Sequence, residues 1–287
     1  MTVSNINLQE LLDLEVLEVG LYRGDSWDLG FPAVFGGQVL GQALVAAYKT
    51  VNKDQYAHSF HSYFLLPGDA SKPIVYDVEV VREGRSFSTR RVKAIQHSKV
   101  IFYMTASFQL EQPGLSHQYG HMPKLPHPDS LDNDIDLFAK KHSPLSPELS
   151  KTLEYHKPID IKTVNIKECF GASVVEPERF IWMRSRHAIR DELIMHQAAL
   201  AYASDYHFLS TALQAHPIHS QDQRLRMATI DHAVWFHKPL DFNQWHIYHT
   251  QSPFSGNSRA LVRGQFFDAK GEIVATTMQE GMIRIKE

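Results

Sequence analysis

One carboxylate stands alone in an apolar stretch of the second half of the chain. Asp205 is the only Asp, Glu, Lys or Arg between Leu193 and Gln221, where most of its neighbours are apolar or aromatic. An ionised carboxylate is costly in apolar surroundings unless it is paired or hydrogen-bonded. Asp205 therefore either caps or turns out of a helix, or faces a cleft as a general base.

Two further polar side chains are candidates for the same site. Thr229 opens a predicted strand, and Gln279 ends another just before Gly281. Taken singly, Thr229 is an ordinary strand former and Gln279 is an exposed amide at a strand end. Together with Asp205 they form a hydrogen-bonding set rather than a nucleophile with its base. Such a set can hold and deprotonate one water molecule, so we predict a water-activating site.

The two halves of the chain repeat one another with a shift of 172 residues. Between residues 58 and 108 and their counterparts the gap-free match indicates a duplicated structural unit. Nine pairs are identical: Phe64/Phe236, Pro67/Pro239, Asp69/Asp241, Tyr76/Tyr248, Gly84/Gly256, Ser86/Ser258, Arg91/Arg263, Ile101/Ile273 and Thr105/Thr277. Identity is lost at the candidate site, because Ala57 and Ser107 stand where the second half has Thr229 and Gln279. We therefore expect two folding units and one kind of active site.

A buried helix and several long strands in each half must position these groups. The first helix is predicted from a run that is apolar on nearly every side, and the strands from segments rich in Val, Ile, Phe and Tyr. The second half repeats this order of elements. The predicted helices are 36–51 and 195–215; the strands are 58–66, 74–81, 86–95 and 99–110, then 230–237, 245–250, 258–267 and 273–279. The pattern predicts a duplicated α+β fold in which an antiparallel sheet curves around a helix.

Proline marks the boundary between the two halves. Seven of the fourteen prolines lie between Pro113 and Pro158, and such density resists regular structure. We predict an N-terminal unit at 1–115, a connector at 116–158 and a C-terminal unit at 159–287 that carries the catalytic residues. A short helix at 131–141 is expected to interrupt the connector, which packs along a surface.

The composition excludes several classes of protein. The 29 basic and 32 acidic residues give a net charge of −3, without the basic stripe of a nucleic-acid-binding surface. No uninterrupted apolar run approaches 18 residues, so no membrane insertion is expected. The N-terminus lacks the pattern of a signal peptide, and the single cysteine, Cys169, fits a reducing compartment. These features indicate a cytoplasmic protein.

Other motifs give weaker signals. The glycine spacing after Phe35 does not match a dinucleotide fingerprint. Gly36 and Gly37 are instead expected to let another backbone or a ligand approach the start of the helix closely. A backbone N–H at this helix start would suit a developing oxyanion. The histidine pairs, among them His232 and His237, lack a third ligand, so we expect surface histidines, no metal site and no cofactor. No G-x-S-x-G motif is present, which argues against an α/β-hydrolase triad.

Basic residues cluster around two predicted strands of the first half. The cluster forms either a solvated face or a surface that receives phosphates. Its members are Arg82, Arg85, Arg90, Arg91 and Lys93.

Six motifs occur in an order that is shared with a known family. They are FGGQVLGQAL at 35–44, HSYFLLPGD at 61–69, LAYASDYHFLSTAL at 200–213, MATIDHAVWFH at 227–237, LVRGQFF at 261–267 and TMQEG at 277–281. On these motifs the chain resembles acyl-CoA thioesterase II, a double hotdog family, over essentially its whole length. The resemblance implies hydrolysis of fatty acyl-CoA to fatty acid and coenzyme A, with Asp205, Thr229 and Gln279 orienting the hydrolytic water.

Two other functions fit the same scaffold. One is a hydratase or dehydratase acting on enoyl- or hydroxyacyl-CoA, although no His and Asp pair with the hydratase-type motif is found. The other is a silent acyl-CoA binding protein, against which the intact Asp, Thr and Gln argue. Because hotdog units bury their outer sheet faces by pairing, a homodimer or homotetramer is expected.

Overall fold

The computed structural model describes residues 7–29, 33–141, 158–164, 174–218 and 222–286. Within these ranges there are five α-helices and one 3-10 turn, and none of the helices has both the length and the apolar character to cross a membrane. The helices are α1 Leu8–Leu12, α2 Gly36–Tyr48, α3 Asp134–Lys141, α4 Leu193–Ala203 and α5 Phe208–Leu213, and the 3-10 turn is Pro128–Ser130.

The same ranges contain thirteen strands. Those of the first half are β1 Glu15–Glu18, β2 Leu21–Gly24, β3 Gln55–Phe64, β4 Ile74–Arg82, β5 Phe87–Gln96 and β6 Lys99–Leu110. Those of the second half are β7 Ile159–Thr163, β8 Glu178–Ser185, β9 Leu225–Thr229, β10 Asp231–Phe236, β11 His246–Gly256, β12 Arg259–Phe267 and β13 Ile273–Ile285.

These strands form one antiparallel sheet that contains both halves. Its order is β1-β2-β4-β5-β6-β3-β10-β13-β12-β11-β8-β7, and β9 pairs with β13. The halves meet at β3 and β10, where Phe60 lies opposite Val234. Outward from this junction the order β3-β6-β5-β4 is matched by β10-β13-β12-β11. The predicted α+β architecture is confirmed, and the repeated sequence corresponds to a repeated strand order.

Helices α2 and α4 pack against each other over the sheet. Every residue of α2 from Gly37 to Tyr48 is buried, which explains why the segment is apolar on all sides. A Cβ on Gly41 would lie 3.0 Å from the carbonyl oxygen of Ala198, so the small residue allows the two helices to approach closely. The helix predicted at 36–51 is confirmed, although it ends at Tyr48.

The single helix predicted at 195–215 is wrong, because the chain turns in its middle. Helix α4 ends at Ala203 and α5 begins at Phe208. Between them His207 has a φ of 59°, a left-handed conformation that a continuous right-handed helix does not allow. The break places Asp205 in a turn rather than on the face of a helix.

Two strand predictions near the candidate site are also wrong in detail. Thr229 ends β9 instead of opening a strand, and β10 begins only at Asp231. Strand β13 continues beyond Gly281 to Ile285 because β9 pairs with this extension. Gln279 therefore lies inside a strand and is fully buried, so it is not an exposed amide at a strand end.

The described part of the connector covers the outer face of the C-terminal sheet. Met122, Leu125 and Leu131 pack against a buried cluster. That cluster is Trp182, Ile247, Phe267 and Ile273. Helix α3 confirms the short helix predicted near 131–141. The unit boundaries at 115 and 158 stay a prediction, and Cys169 lies outside the described residues.

Candidate active site

The turn between α4 and α5 directs Asp205 toward the first half of the molecule. Its Oδ2 accepts a hydrogen bond from the backbone N–H of Gly37, at a donor–acceptor distance of 3.0 Å. Gly37 lies in the first turn of α2, where backbone N–H groups have no partner within the helix and favour a negative charge. The candidate site is thus built at the contact between the two halves.

The glycines at the start of α2 allow this contact. A Cβ on Gly36 would lie 2.6 Å from Asp205 Oδ2. A Cβ on Gly37 would lie 2.2 Å from the backbone oxygen of Tyr202. Both distances are shorter than any side chain tolerates, so the two glycines are required for close approach, as predicted.

Gln279 links the other two predicted residues, Asp205 and Thr229. Its Nε2 donates to Asp205 Oδ1 at 3.1 Å and to Thr229 Oγ1 at 2.5 Å. The Thr229 hydroxyl also interacts with the Asp205 carboxyl. Asp205 and Thr229 remain partly exposed, whereas Gln279 is fully buried. The structure therefore brings the three side chains into one hydrogen-bonded group, of which Asp205 and Thr229 are accessible to solvent.

Burial determines the protonation of Asp205. Loss of solvent raises the pKa of its carboxyl to about 7, while hydrogen bonds from Gln279, Gly37 and Thr229 lower it in part. These three donors are neutral, so they offset only some of the cost of burying a charge. A carboxyl with a pKa near neutrality can take and release a proton at physiological pH.

Two tyrosines, Tyr202 and Tyr206, interact with the carboxyl, and the sequence analysis missed them. The Phe35 ring lies 5.2 Å from that of Tyr202 and 4.7 Å from that of Tyr206. The two tyrosine hydroxyls are 3.2 Å apart. The available signal was the position of Tyr202 and Tyr206 in the same short segment as Asp205. These buried rings lie in the segment that shields Asp205 from solvent, and this loss of solvent is the main cause of its raised pKa.

The start of α2 differs from one expectation. The Gly37 amide, considered as an oxyanion donor, instead donates to Asp205. The glutamines of the same motif hold neighbouring segments: Gln42 Nε2 donates to the carbonyl of Leu11 in α1 at 2.7 Å and to that of Asp25 after β2 at 2.9 Å. Gln38 Oε1 accepts from the Trp27 backbone amide at 3.0 Å. This motif therefore serves packing and the position of Asp205.

Two expectations about charged residues are corrected. Arg90 is fully buried, donates to Thr50 Oγ1 at 2.9 Å and pairs with Glu83, so it belongs to neither a solvated nor a phosphate-binding face. His232 is also fully buried rather than on the surface. Among the described residues, no three His, Cys, Asp or Glu side chains are grouped as metal ligands.

Comparison with known proteins identifies the family. The family profile described as acyl-CoA thioesterase matches residues 149–282, and that of the acyl-CoA thioesterase N-terminal domain matches residues 23–109. Acyl-CoA thioesterase 2 of Haemophilus influenzae is 40% identical over 281 residues, which cover 98% of each chain.

Solved structures agree with this assignment. Acyl-CoA thioesterase II TesB2 from Mycobacterium marinum is 38% identical, with a TM-score of 0.80 over 98% of this chain and 99% of that chain. A protein of unknown function with a hot dog fold from Alicyclobacillus acidocaldarius is 18% identical, with a TM-score of 0.76 over 97% and 98% of the two chains, and supports the fold. The double hotdog fold is confirmed, and the chain belongs to the acyl-CoA thioesterase family, whose members hydrolyse acyl-CoA thioesters.

Proposed function

We propose that this protein hydrolyses fatty acyl-CoA to a free fatty acid and coenzyme A by direct attack of a water molecule. The proposal is carried by one observation, the Gln279 amide that joins Asp205 to Thr229. Asp205 acts as the general base, Thr229 holds the water beside it, and Gln279 fixes the positions of both side chains.

The chemistry needs no covalent intermediate. Asp205 takes a proton from the water as its oxygen attacks the thioester carbonyl carbon. The tetrahedral intermediate then expels the coenzyme A thiolate, a good leaving group, which takes the proton from the Asp205 carboxyl and leaves that carboxyl ionised again. A carboxyl with a pKa of about 7 is matched to this task at neutral pH, because a large fraction is ionised and its basicity is much higher than that of an ordinary Asp.

Substrate placement follows from the surroundings of the carboxyl. Phe35 packs against the Tyr202 and Tyr206 rings, and both tyrosines interact with the Asp205 carboxyl. We place the acyl chain in apolar surroundings between the helices and the sheet, and the phosphorylated nucleotide at basic side chains of the surface. Short- and long-chain substrates would then differ mainly in KM.

Product analysis tests the proposal. Purified protein is incubated with acyl-CoA substrates of increasing chain length, and free thiol and free fatty acid are measured together. Equal amounts of both products are expected. Loss of enoyl absorbance without thiol release would instead identify a hydratase, and tight binding without any product would identify a silent binding protein.

We also propose a cytoplasmic homodimer or homotetramer. One cysteine in 287 residues is typical of a reducing compartment. Large apolar side chains stay exposed on the monomer, among them Tyr63, Leu65 and Leu66 at the junction of the halves. Sedimentation velocity over a range of concentrations would give the mass, and a purely monomeric protein would contradict the proposed assembly.

A further inference from the structure

A buried histidine lies next to the proposed water-binding residues. His232 is in β10, has no exposed surface, and its ring packs 5.5 Å from that of Phe208. Burial lowers the pKa of the ring to about 3, although its interaction with Gln279 raises it in part. The ring is therefore neutral at physiological pH, and only one of its two nitrogens carries a proton.

Two buried atoms of these neighbouring side chains form no hydrogen bond with any described group. They are Gln279 Oε1, which can only accept a hydrogen bond, and His232 Nδ1. An unsatisfied buried acceptor is destabilising. Since the two side chains interact, a proton on Nδ1 would satisfy both atoms at once.

Ser204 allows this placement of the proton. Its Oγ lies 2.9 Å from His232 Nε2 and 2.8 Å from the carbonyl oxygen of Ala201. A serine hydroxyl has one proton, which it can donate to either acceptor. If it donates to Nε2, that nitrogen is unprotonated and the proton of the ring lies on Nδ1.

We propose that His232 is a positioning residue for the hydrolytic site, in which Ser204 donates to Nε2 and Nδ1–H donates to Gln279 Oε1. The inference rests on the function proposed above for Asp205, Thr229 and Gln279. The two ends of a glutamine amide have opposite hydrogen-bonding character. With its oxygen held by His232, the amide must direct Nε2 toward Asp205 Oδ1 and Thr229 Oγ1. A reversed amide would place its oxygen against the carboxylate.

Kinetics of two substitutions test this role. His232→Asn keeps a donor near the position of Nδ1, whereas His232→Leu keeps the bulk and removes the donor. We expect kcat to fall about tenfold in His232→Leu with little change in KM, and to stay within about threefold of the wild type in His232→Asn.

A double-substitution cycle separates positioning from a merely structural role. If His232 acts through Gln279, then His232→Leu should cause no further loss of kcat in a Gln279→Ala background. Equal losses in both backgrounds would overturn the proposal. His246 provides a matched control, because it is also buried and its Nδ1 donates to the Gln244 carbonyl at 2.9 Å. His246→Leu should lower thermal stability and leave kcat unchanged.

The tautomer can be measured without an activity assay. Nitrogen-15 NMR of the histidine rings in the wild-type protein, assigned with His232→Asn, should show the proton of His232 on Nδ1. A proton on Nε2 would overturn the proposal even if the kinetic variants fail to fold. Full activity of Asp205→Asn would instead defeat the proposed function, and the NMR result would stand independently of it.

Discussion

The same strand positions have different surroundings in the two halves. In the second half, Thr229 and Gln279 converge on the Asp205 carboxyl, whose pKa is raised. In the first half the corresponding positions hold Ala57 and Ser107. The Ala57 N–H donates to the Tyr48 hydroxyl at 2.7 Å, and the Ala57 carbonyl accepts from the Gln197 amide at 3.0 Å.

The difference shows how one scaffold can carry a reactive and an inert version of one region. Tyr48 also donates to Gln197, so a neutral hydroxyl and amide satisfy each other and the backbone of Ala57. Burial raises the pKa of Tyr48 above its ordinary value of 10, so the hydroxyl stays protonated at neutral pH. Asp205 titrates near neutrality instead. The duplicated fold thus repeats the scaffold, and only the second half carries the proposed base.

The largest expected effect comes from removing that base. Asp205→Asn keeps the shape and most hydrogen bonds of the side chain but cannot accept a proton from water. We expect kcat for a medium-chain acyl-CoA to fall by about 10²-fold or more, the size of a lost general base. Steady-state thiol release, with circular dichroism to confirm folding, measures the effect.

Tyr48→Phe is the matched change in the other half. It removes a buried hydroxyl and leaves Gln197 and the Ala57 amide short of a partner, which should cost about 1–3 kcal/mol of stability. Its kcat should stay that of the wild type. A comparable loss of kcat in both variants would show that the first half also takes part in the chemistry.

The pH dependence of activity sharpens the contrast. With a pKa of about 7 for Asp205, kcat/KM should be constant above that pH and fall about tenfold per unit below it. Tyr48→Phe should leave this profile unchanged. A profile that is flat down to pH 5 would mean that the essential base has an ordinary carboxylate pKa.

Ionisation of Asp205 should increase activity but decrease the stability of the folded protein. Its pKa in the folded protein is raised above the ordinary 3.8. Folding therefore favours the protonated carboxyl, and this contribution to stability is complete below the unfolded pKa. It is lost as the pH rises through about 7. Urea denaturation at several pH values should show that the free energy of unfolding of the wild type decreases over this pH range. In Asp205→Asn this contribution to the decrease should be absent.

Replacing Gln279 by serine, the residue at the corresponding position of the first half, tests its link between Asp205 and Thr229. Gln279→Ser keeps a hydroxyl but is too short to join Asp205 Oδ1 to Thr229 Oγ1. We expect kcat to fall about tenfold, since one buried hydrogen-bond donor is lost. Thiol release at saturating substrate measures it, with Ser107→Ala in the first half as the control. An unchanged kcat would remove Gln279 from the water-binding set.

Local sequence patterns contained much of the fold but only part of the site. The 172-residue repeat and the apolar character of α2 predicted the duplicated strands and buried helices. The position of Asp205 as the single charged residue of an apolar segment indicated a candidate general base. The break after Ala203, the contact with Gly37 and the burial of Arg90 depend on segments that are distant in sequence. Such tertiary contacts override the local preference that predicted a continuous helix.

The smallest expected effect is that of Thr229→Ala, which gives the second half the alanine of the first. Gln279 Nε2 would lose one acceptor but keep Asp205 Oδ1, so the amide should stay in place. The water would lose one of its proposed contacts, and kcat should fall about threefold to tenfold. Thr229→Ser restores the hydroxyl and should recover most of the activity. If Thr229→Ser were as impaired as Thr229→Ala, the methyl group rather than the hydroxyl would be what the site requires.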